Sequence, residues 1–370
     1  MQQAITGDLG ASDQSLPPAQ SKTAPYPWIL HPVIDILFCC GGLLWLLLIP
    51  LFAGLKVDAN LALFGFIMLN VLFSDTHQPA TLFRVYASAR TRAKVGIPIT
   101  VAAVIVIALG AAALFSVPMA IIGLRVTFTW AVQHVMAQVY GVALIYCYKR
   151  QYIMTNGEKR TLFVLCNTAI AYAIIRMWTI PMPPGHLYNL DIPSLAPLPY
   201  WLLFAARLAL QCAVVAFVFM VVRKWIKERK LFPLPALFTV VTALAATTVL
   251  PSFIHNGTML VIAGAFIQNC FHSCQYNVVT TAYFLKEQGL PEGVPFSKIA
   301  TQLFTRKALN YYGFLVVLGL TLNVGVAVAL TLVGFQTAAA VVYCTSMHHY
   351  FSDALIWRMK DPAVRKLLVA

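Results

Sequence analysis

Six of the eight histidines in this 370-residue chain, His31, His77, His134, His272, His348 and His349, fall in or beside strongly apolar stretches. Imidazole binds iron, copper and zinc, and it titrates near neutral pH. Histidines in such settings therefore point to metal binding or to proton transfer. An ionisable group at membrane depth is costly, and it faces a protein interior or a cavity. On a helix turning ~100° per residue, each of four histidines sits in a polar stripe. Asn70, Ser74, His77, Thr81 and Arg84 form the first, and Thr127, Trp130, His134, Gln138 and Gly141 the second. The third holds Gln268, Asn269, His272, Gln275 and Tyr276, and the fourth Thr345, Ser346, His349, Ser352 and Asp353. One intramembrane histidine is often only a helix–helix hydrogen bond worth ~1 kcal/mol or less. Four matching stripes point instead to four walls of one interior site.

The elements that position these stripes follow from composition. Sixty per cent of the residues are hydrophobic, 10% are charged and the mean hydropathy is +0.78. An ordinary globular domain carries ~25% charged residues, so most of this surface must face something other than water. Ten apolar stretches, near 31–54, 60–84, 96–116, 120–148, 161–180, 199–223, 234–254, 258–285, 308–333 and 336–358, are each long enough to cross ~30 Å of hydrocarbon. Residues 1–28 are polar and proline-containing and read as a disordered tail, leaving 29–370 as a single transmembrane domain.

Charge placement orients the chain. Of 26 Lys and Arg, 22 lie in the tails and in the loops after the second, fourth, sixth and eighth stretches. Only Lys56 lies on the opposite side, and Arg125, Arg176 and Arg207 fall inside stretches. Basic residues favour cytoplasmic loops. The reading is an all-α polytopic bundle of about ten transmembrane helices with both termini cytoplasmic, in a bacterial inner membrane. The net charge of +14 then reflects those loops and implies no nucleic-acid partner. All eight cysteines fall within the stretches, so no disulfide framework is expected.

The histidines also match in depth. His77, His349, His272 and His134 lie 7, 9, 14 and 15 residues from the next cytoplasmic cation. At ~1.5 Å per residue they share a layer roughly 10–23 Å deep. His77, His134, His272 and His349 are the expected metal ligands, with His348 next and Asp353 as ligand or as the acceptor that orients a ring. Gln138, Gln275, Tyr276 and Trp130 are expected to line a substrate cavity beside them. His31 and Asp35 read either as a helix cap with an ion pair or as part of the site. Asp75 and Arg125 point away from the layer, and Pro79 should loosen its helix one turn earlier. The proline-rich loop 181–199, with His186 and Asp191, lies across the bilayer and reads as an irregular outer lid or packing surface rather than as the catalytic site.

Several segments resemble a loose group of uncharacterised bacterial polytopic multi-histidine membrane proteins. They are His31-Pro-Val-Ile-Asp35 with Gly41-Gly42, Gln133-His-Val-Met-Ala-Gln-Val-Tyr-Gly141, His272-Ser-Cys-Gln-Tyr276 and His348-His-Tyr-Phe-Ser-Asp353. More remotely the chain is similar to the bacterial membrane β-carotene dioxygenases of the Brp/Blh type. That resemblance implies intramembrane histidines holding iron and oxidative cleavage of a polyene by dioxygen.

The sequence expectation is a metal-dependent oxidoreductase or oxygenase. Its cofactor would be iron (copper, zinc or haem being alternatives), acting with dioxygen on a hydrophobic small molecule or lipid, and an electron donor is a further expected partner. A haem-binding electron-transfer subunit and a histidine-based proton-coupled transporter are the competing readings. The topology is checked with reporters. One fused after Lys366 should lie in the cytoplasm and one inserted at 185–196 outside, and the reverse pattern would overturn both the orientation and the depth argument.

Overall fold

The computed structural model describes residues 26–52, 64–65, 67–180, 185–187, 190–192, 198–250, 268–291, 294–335, 338–359 and 361–369. Helices, joined by short loops, and one short hairpin make up those residues. In chain order the helices are α1 (Pro32–Ile34, continuing as a π turn over Asp35–Cys39), α2 (Gly42–Phe52), α3 (Asp75–Ala87), α4 (Ala89–Phe115), α5 (Val117–Lys149) and α6 (Asn156–Thr179). After the hairpin come α7 (Tyr200–Glu228), α8 (Leu234–Leu244), α9 (Gln268–Glu287), α10 (Arg306–Leu332), α11 (Ala338–Ile356) and α12 (Pro362–Val369).

Five of these, α4, α5, α6, α7 and α10, are long and apolar enough to cross a membrane. The exposure pattern agrees with that setting. Large apolar side chains such as Ile97, Val104, Phe204, Val215, Phe219 and Leu332 are exposed, whereas His77, His134, His272, His349, Gln275 and Asp353 are buried. Water would favour the opposite arrangement, and hydrocarbon favours this one.

Helix ends follow local chemistry. Thr155 and Glu158 form a reciprocal capping box at the start of α6. The Glu158 carboxylate also takes the Lys224 ammonium at 2.7 Å, pinning α6 to α7. Asp361 opens α12, accepts from the Ala363 N–H and pairs with Lys94 at 2.8 Å. The Lys94 hydrogen bond holds its carboxyl below the usual range. At the other end of α12, the buried Lys149 and Lys286 donate to the carbonyls of Val369 and Leu367. Both cations thereby meet the carbonyls that a helix C-terminus leaves without partners.

Two breaks shape the layer of polar side chains. Gly41, at φ +83°, turns the chain between α1 and α2. A Cβ there would lie 2.3 Å from the Thr242 methyl group, so α8 passes directly against the bare backbone. The second break is a π turn over Asn70–Ser74 immediately before α3, about two turns before Pro79 rather than the one turn expected. Its carbonyls are met by side chains. The Thr76 and Tyr312 hydroxyls donate to Leu72, Asn277 donates to Phe73 at 3.0 Å, and His77 Nδ1 bonds Ser74. Pro79 also leaves the Asp75 carbonyl without its helical donor. Gly319 of α10 packs on that carbonyl, where a Cβ would come within 2.2 Å.

Contrary to the expectation of an irregular loop, Gly185–Leu187 (β1) and Leu190–Ile192 (β2) pair as an antiparallel hairpin with His186 opposite Asp191. Prolines flank this stretch at 184 and 193 but none lies within it, so its N–H groups remain free to pair. The side chains of 181–197 lie outside the described residues, as do residues 1–25, most of the expected tail.

The Gly319 contact is testable by substitution. Gly319→Ala should cost ~1–3 kcal/mol by forcing α10 away from α3. Gly313→Ala, where nothing lies within 4 Å, should be neutral or stabilising. Reversible unfolding in mixed micelles measures both, and equal stability of the two variants would contradict this packing.

Candidate metal centre

The stripes on α3, α5, α9 and α11 turn inward together. Packing of α11 on α3 and α5, and of α9 on α3 and α5, brings four imidazoles into one cluster. Ring centroids of His77 and His349 are 4.7 Å apart, those of His134 and His349 4.7 Å, and those of His134 and His272 4.8 Å. His77, His272 and His349 each offer a nitrogen within a 4.8 Å group, and so do His134 and His349 with an Asp353 oxygen. His349 belongs to both groups and sits at their junction.

Hydrogen bonds assign the tautomers. His77 Nδ1 bonds the Ser74 carbonyl, which can only accept, so that nitrogen carries the proton and Nε2 keeps its lone pair. For His349 the intermediary is Thr81. The Thr81 hydroxyl donates to Asp353 Oδ1 at 2.9 Å, which leaves it to accept from His349 Nδ1 at 2.8 Å. His349 Nε2 is therefore also a lone-pair donor. It lies 3.1 Å from His134 Nε2. Two nitrogens bound at ~2.0–2.1 Å to one metal, at tetrahedral to right-angle geometry, are ~2.8–3.4 Å apart. The same contact without a cation requires a proton between the two nitrogens.

His272 is the more telling residue. It is 2% exposed, and neither ring nitrogen has a hydrogen-bond partner among the described residues. An imidazole in low dielectric normally meets a partner at one nitrogen or both, and leaving a buried polar group unmet costs ~1–3 kcal/mol. A metal ion bound at His272 would supply that partner.

Asp353 holds one side of the cluster. Its Oδ1 accepts from Thr81 and from the Tyr276 hydroxyl at 2.8 Å, and its Oδ2 lies 3.8 Å from His134 Nε2. Trp357 donates to the Tyr276 hydroxyl at 3.1 Å. Arg84 is sandwiched between the Trp357 and Tyr283 rings, at 3.5 and 3.8 Å from their centroids. Its cation thus lies behind the carboxylate on an aromatic mount.

Other residues expected at the site fall elsewhere. His348 is buried with Nε2 unpartnered, but it belongs to neither metal-capable group. Gln138 bridges the His272 carbonyl and Gln275, and Gln275 donates to the Cys39 carbonyl at 2.6 Å. Both glutamines tie helices together. Tyr276 spends its hydroxyl on Asp353. Asp75, expected to point away from the layer, accepts from Asn323 instead. His31 caps α1 by accepting from the Val33 N–H, while the fully buried Asp35 gathers the N–H groups of Ile29, Leu30 and His31 and the Tyr146 hydroxyl. That is a cap without the expected ion pair, outside the histidine cluster.

Sequence reasoning missed Tyr350, whose ring stacks on His134 at 4.5 Å. It also missed the pivotal part of Thr81, although the stripe itself contained that residue. Thr81→Val should cost ~1–3 kcal/mol, because it leaves His349 Nδ1 without an acceptor, whereas Thr81→Ser should stay within ~1 kcal/mol of the parent. Unfolding titrations decide this, and a valine variant as stable as the parent would remove Thr81 from its place between His349 and Asp353.

No protein-family model, curated protein sequence or solved structure matches this chain.

Proposed function

We propose that this chain is an integral membrane oxidoreductase whose four-histidine cluster holds a metal ion, iron being the ion its donors suit. It would act with dioxygen on a hydrophobic, membrane-soluble substrate. In this reading the chain makes about ten spans with both termini in the cytoplasm, within a bacterial inner membrane. The observation that carries it is the gathering of four imidazoles and one carboxylate from four helices, with His272 buried and unpartnered at both nitrogens. Imidazole and carboxylate donors suit redox-active iron, which supplies one-electron chemistry and dioxygen binding. The protein's part is to fix the donors. The Ser74 carbonyl and Thr81 orient His77 and His349, Asp353 draws charge toward the cluster, and the burial of all four rings keeps bulk water out. The imidazoles pack ring against ring with centroids 4.7–5.3 Å apart around His77, which favours a bare ion over a flat macrocycle such as haem.

Elemental analysis with absorption spectroscopy tests this directly. The parent should carry stoichiometric metal without a Soret band. His134→Ala and His272→Ala should each lose most of it, and Asp353→Asn should bind ~10–100-fold more weakly. A parent free of iron, copper, zinc and haem would sink the enzyme reading and leave proton relay as the role of the cluster.

A further inference from the structure

Tyr276 of α9 lies beside the imidazole cluster. Its buried ring is 5.3 Å from His349, 6.0 Å from His77 and 6.3 Å from His272, centroid to centroid. Three groups hold its hydroxyl. It donates to Asp353 Oδ1 at 2.8 Å, accepts from the Trp357 indole at 3.1 Å, and meets the Thr81 hydroxyl.

A free phenol keeps its proton up to pH ~10. Once the ring loses an electron, its hydroxyl becomes a strong acid, and a buried charge without a partner is costly. One-electron oxidation of a buried tyrosine therefore needs a base already bonded to the hydroxyl. The Asp353 carboxylate, at 2.8 Å, is such a base. After taking the proton, Asp353 can donate back to the phenolic oxygen, and the Trp357 N–H donates to it throughout. The oxygen is thus met in both states.

The aromatic row runs on, away from the cluster, from Tyr276 to Trp357 at 5.9 Å and from there to Tyr283 at 5.6 Å. The Arg84 guanidinium lies on both of these further rings, 3.5 and 3.8 Å from their centroids. A cation is drawn to the face of a neutral ring, and it repels a ring that has lost an electron. Oxidation is thereby halted at Tyr276.

We propose that Tyr276 is the redox-active side chain of the centre, giving one electron to the metal held by the histidines and its hydroxyl proton to Asp353. The oxidant is the metal centre after its reaction with dioxygen, and it gains the electron that the phenol loses. The Tyr276 O–H bond breaks, a new one forms at Asp353 Oδ1, and a neutral phenoxyl radical remains. One electron from the substrate or the electron donor, with the proton returned from Asp353, restores the phenol. The proposal rests on the metal-and-dioxygen reading of the cluster. Trp357 and Thr81 are positioning residues in it.

The test uses the full chain in nanodiscs, loaded with ferrous iron and mixed with dioxygen. Samples are frozen at successive times for electron paramagnetic resonance, with metal content measured on each. The parent should give an organic radical signal that narrows when the protein is made with tyrosine deuterated at its β-carbon. Tyr276→Phe should abolish that signal with metal content unchanged, and Tyr283→Phe, beyond Arg84, should keep it. At saturating iron Asp353→Asn, whose amide cannot take the proton, should form the radical about a hundredfold more slowly or worse. A signal that persists in Tyr276→Phe, or a metal-loaded parent that gives none, would overturn the proposal and leave the metal centre standing. Asp353→Asn forming the radical at the parent's rate would overturn it equally. A parent without metal would remove the oxidoreductase reading and this proposal together.

Discussion

A polar group at membrane depth has no water to turn to, and most of this structure can be read as the working out of that constraint. At the π turn before α3 the carbonyls of Leu72 and Phe73 are met by Tyr312 and Asn277 from other helices, and that of Ser74 by His77 one turn further along. The same necessity orders the imidazoles. Because Ser74 and Thr81 take up one nitrogen each of His77 and His349, the opposite nitrogens are left directed at one small volume. Four helices that could otherwise slide or rotate against one another are locked by these obligations. The packing interaction alone, with lipid as apolar as leucine, would not fix their rotation.

Asp353 illustrates how few residues carry this order. One carboxylate joins α11 to α3 through Thr81, to α9 through Tyr276, and approaches α5 at His134. Arg84 compensates its charge from behind, held flat between two rings rather than by a second carboxylate. Direct pairing of Arg84 with Asp353 would satisfy the cation at the expense of the hydroxyls that now orient His349 and Tyr276.

The sequence made the histidine layer legible because helical geometry is rigid enough for ~100° per residue to hold over three turns. His77 with Thr81 and Arg84, and His349 with Asp353, share faces as the spacing implied. What it hid depends on contacts between helices. Nothing in the periodicity says that Gln275 reaches Cys39 or that Tyr350 covers His134. The Asp35 cap was ambiguous for the same reason. An i,i+4 pair suggests an ion pair, but folding the chain back over residues 29–31 offers the carboxylate three N–H groups that spacing cannot reveal. The hairpin at 185–192 went unread because the flanking prolines dominated the composition of the whole loop.

The donors of the cluster are spread along the chain, with Thr81 and Asp353 separated by 272 positions. Synthesis from the N-terminus therefore delivers α3, α5 and α9 to the bilayer before α11 exists. Until the last of them emerges, three buried imidazoles, Thr81 and Tyr276 lack the carboxylate and the fourth ring that complete their bonding. The nascent bundle must hold these helices loosely, or shield them, until α11 arrives to close the site. Helix insertion comes first in this order, and the final arrangement of the cluster waits for α11.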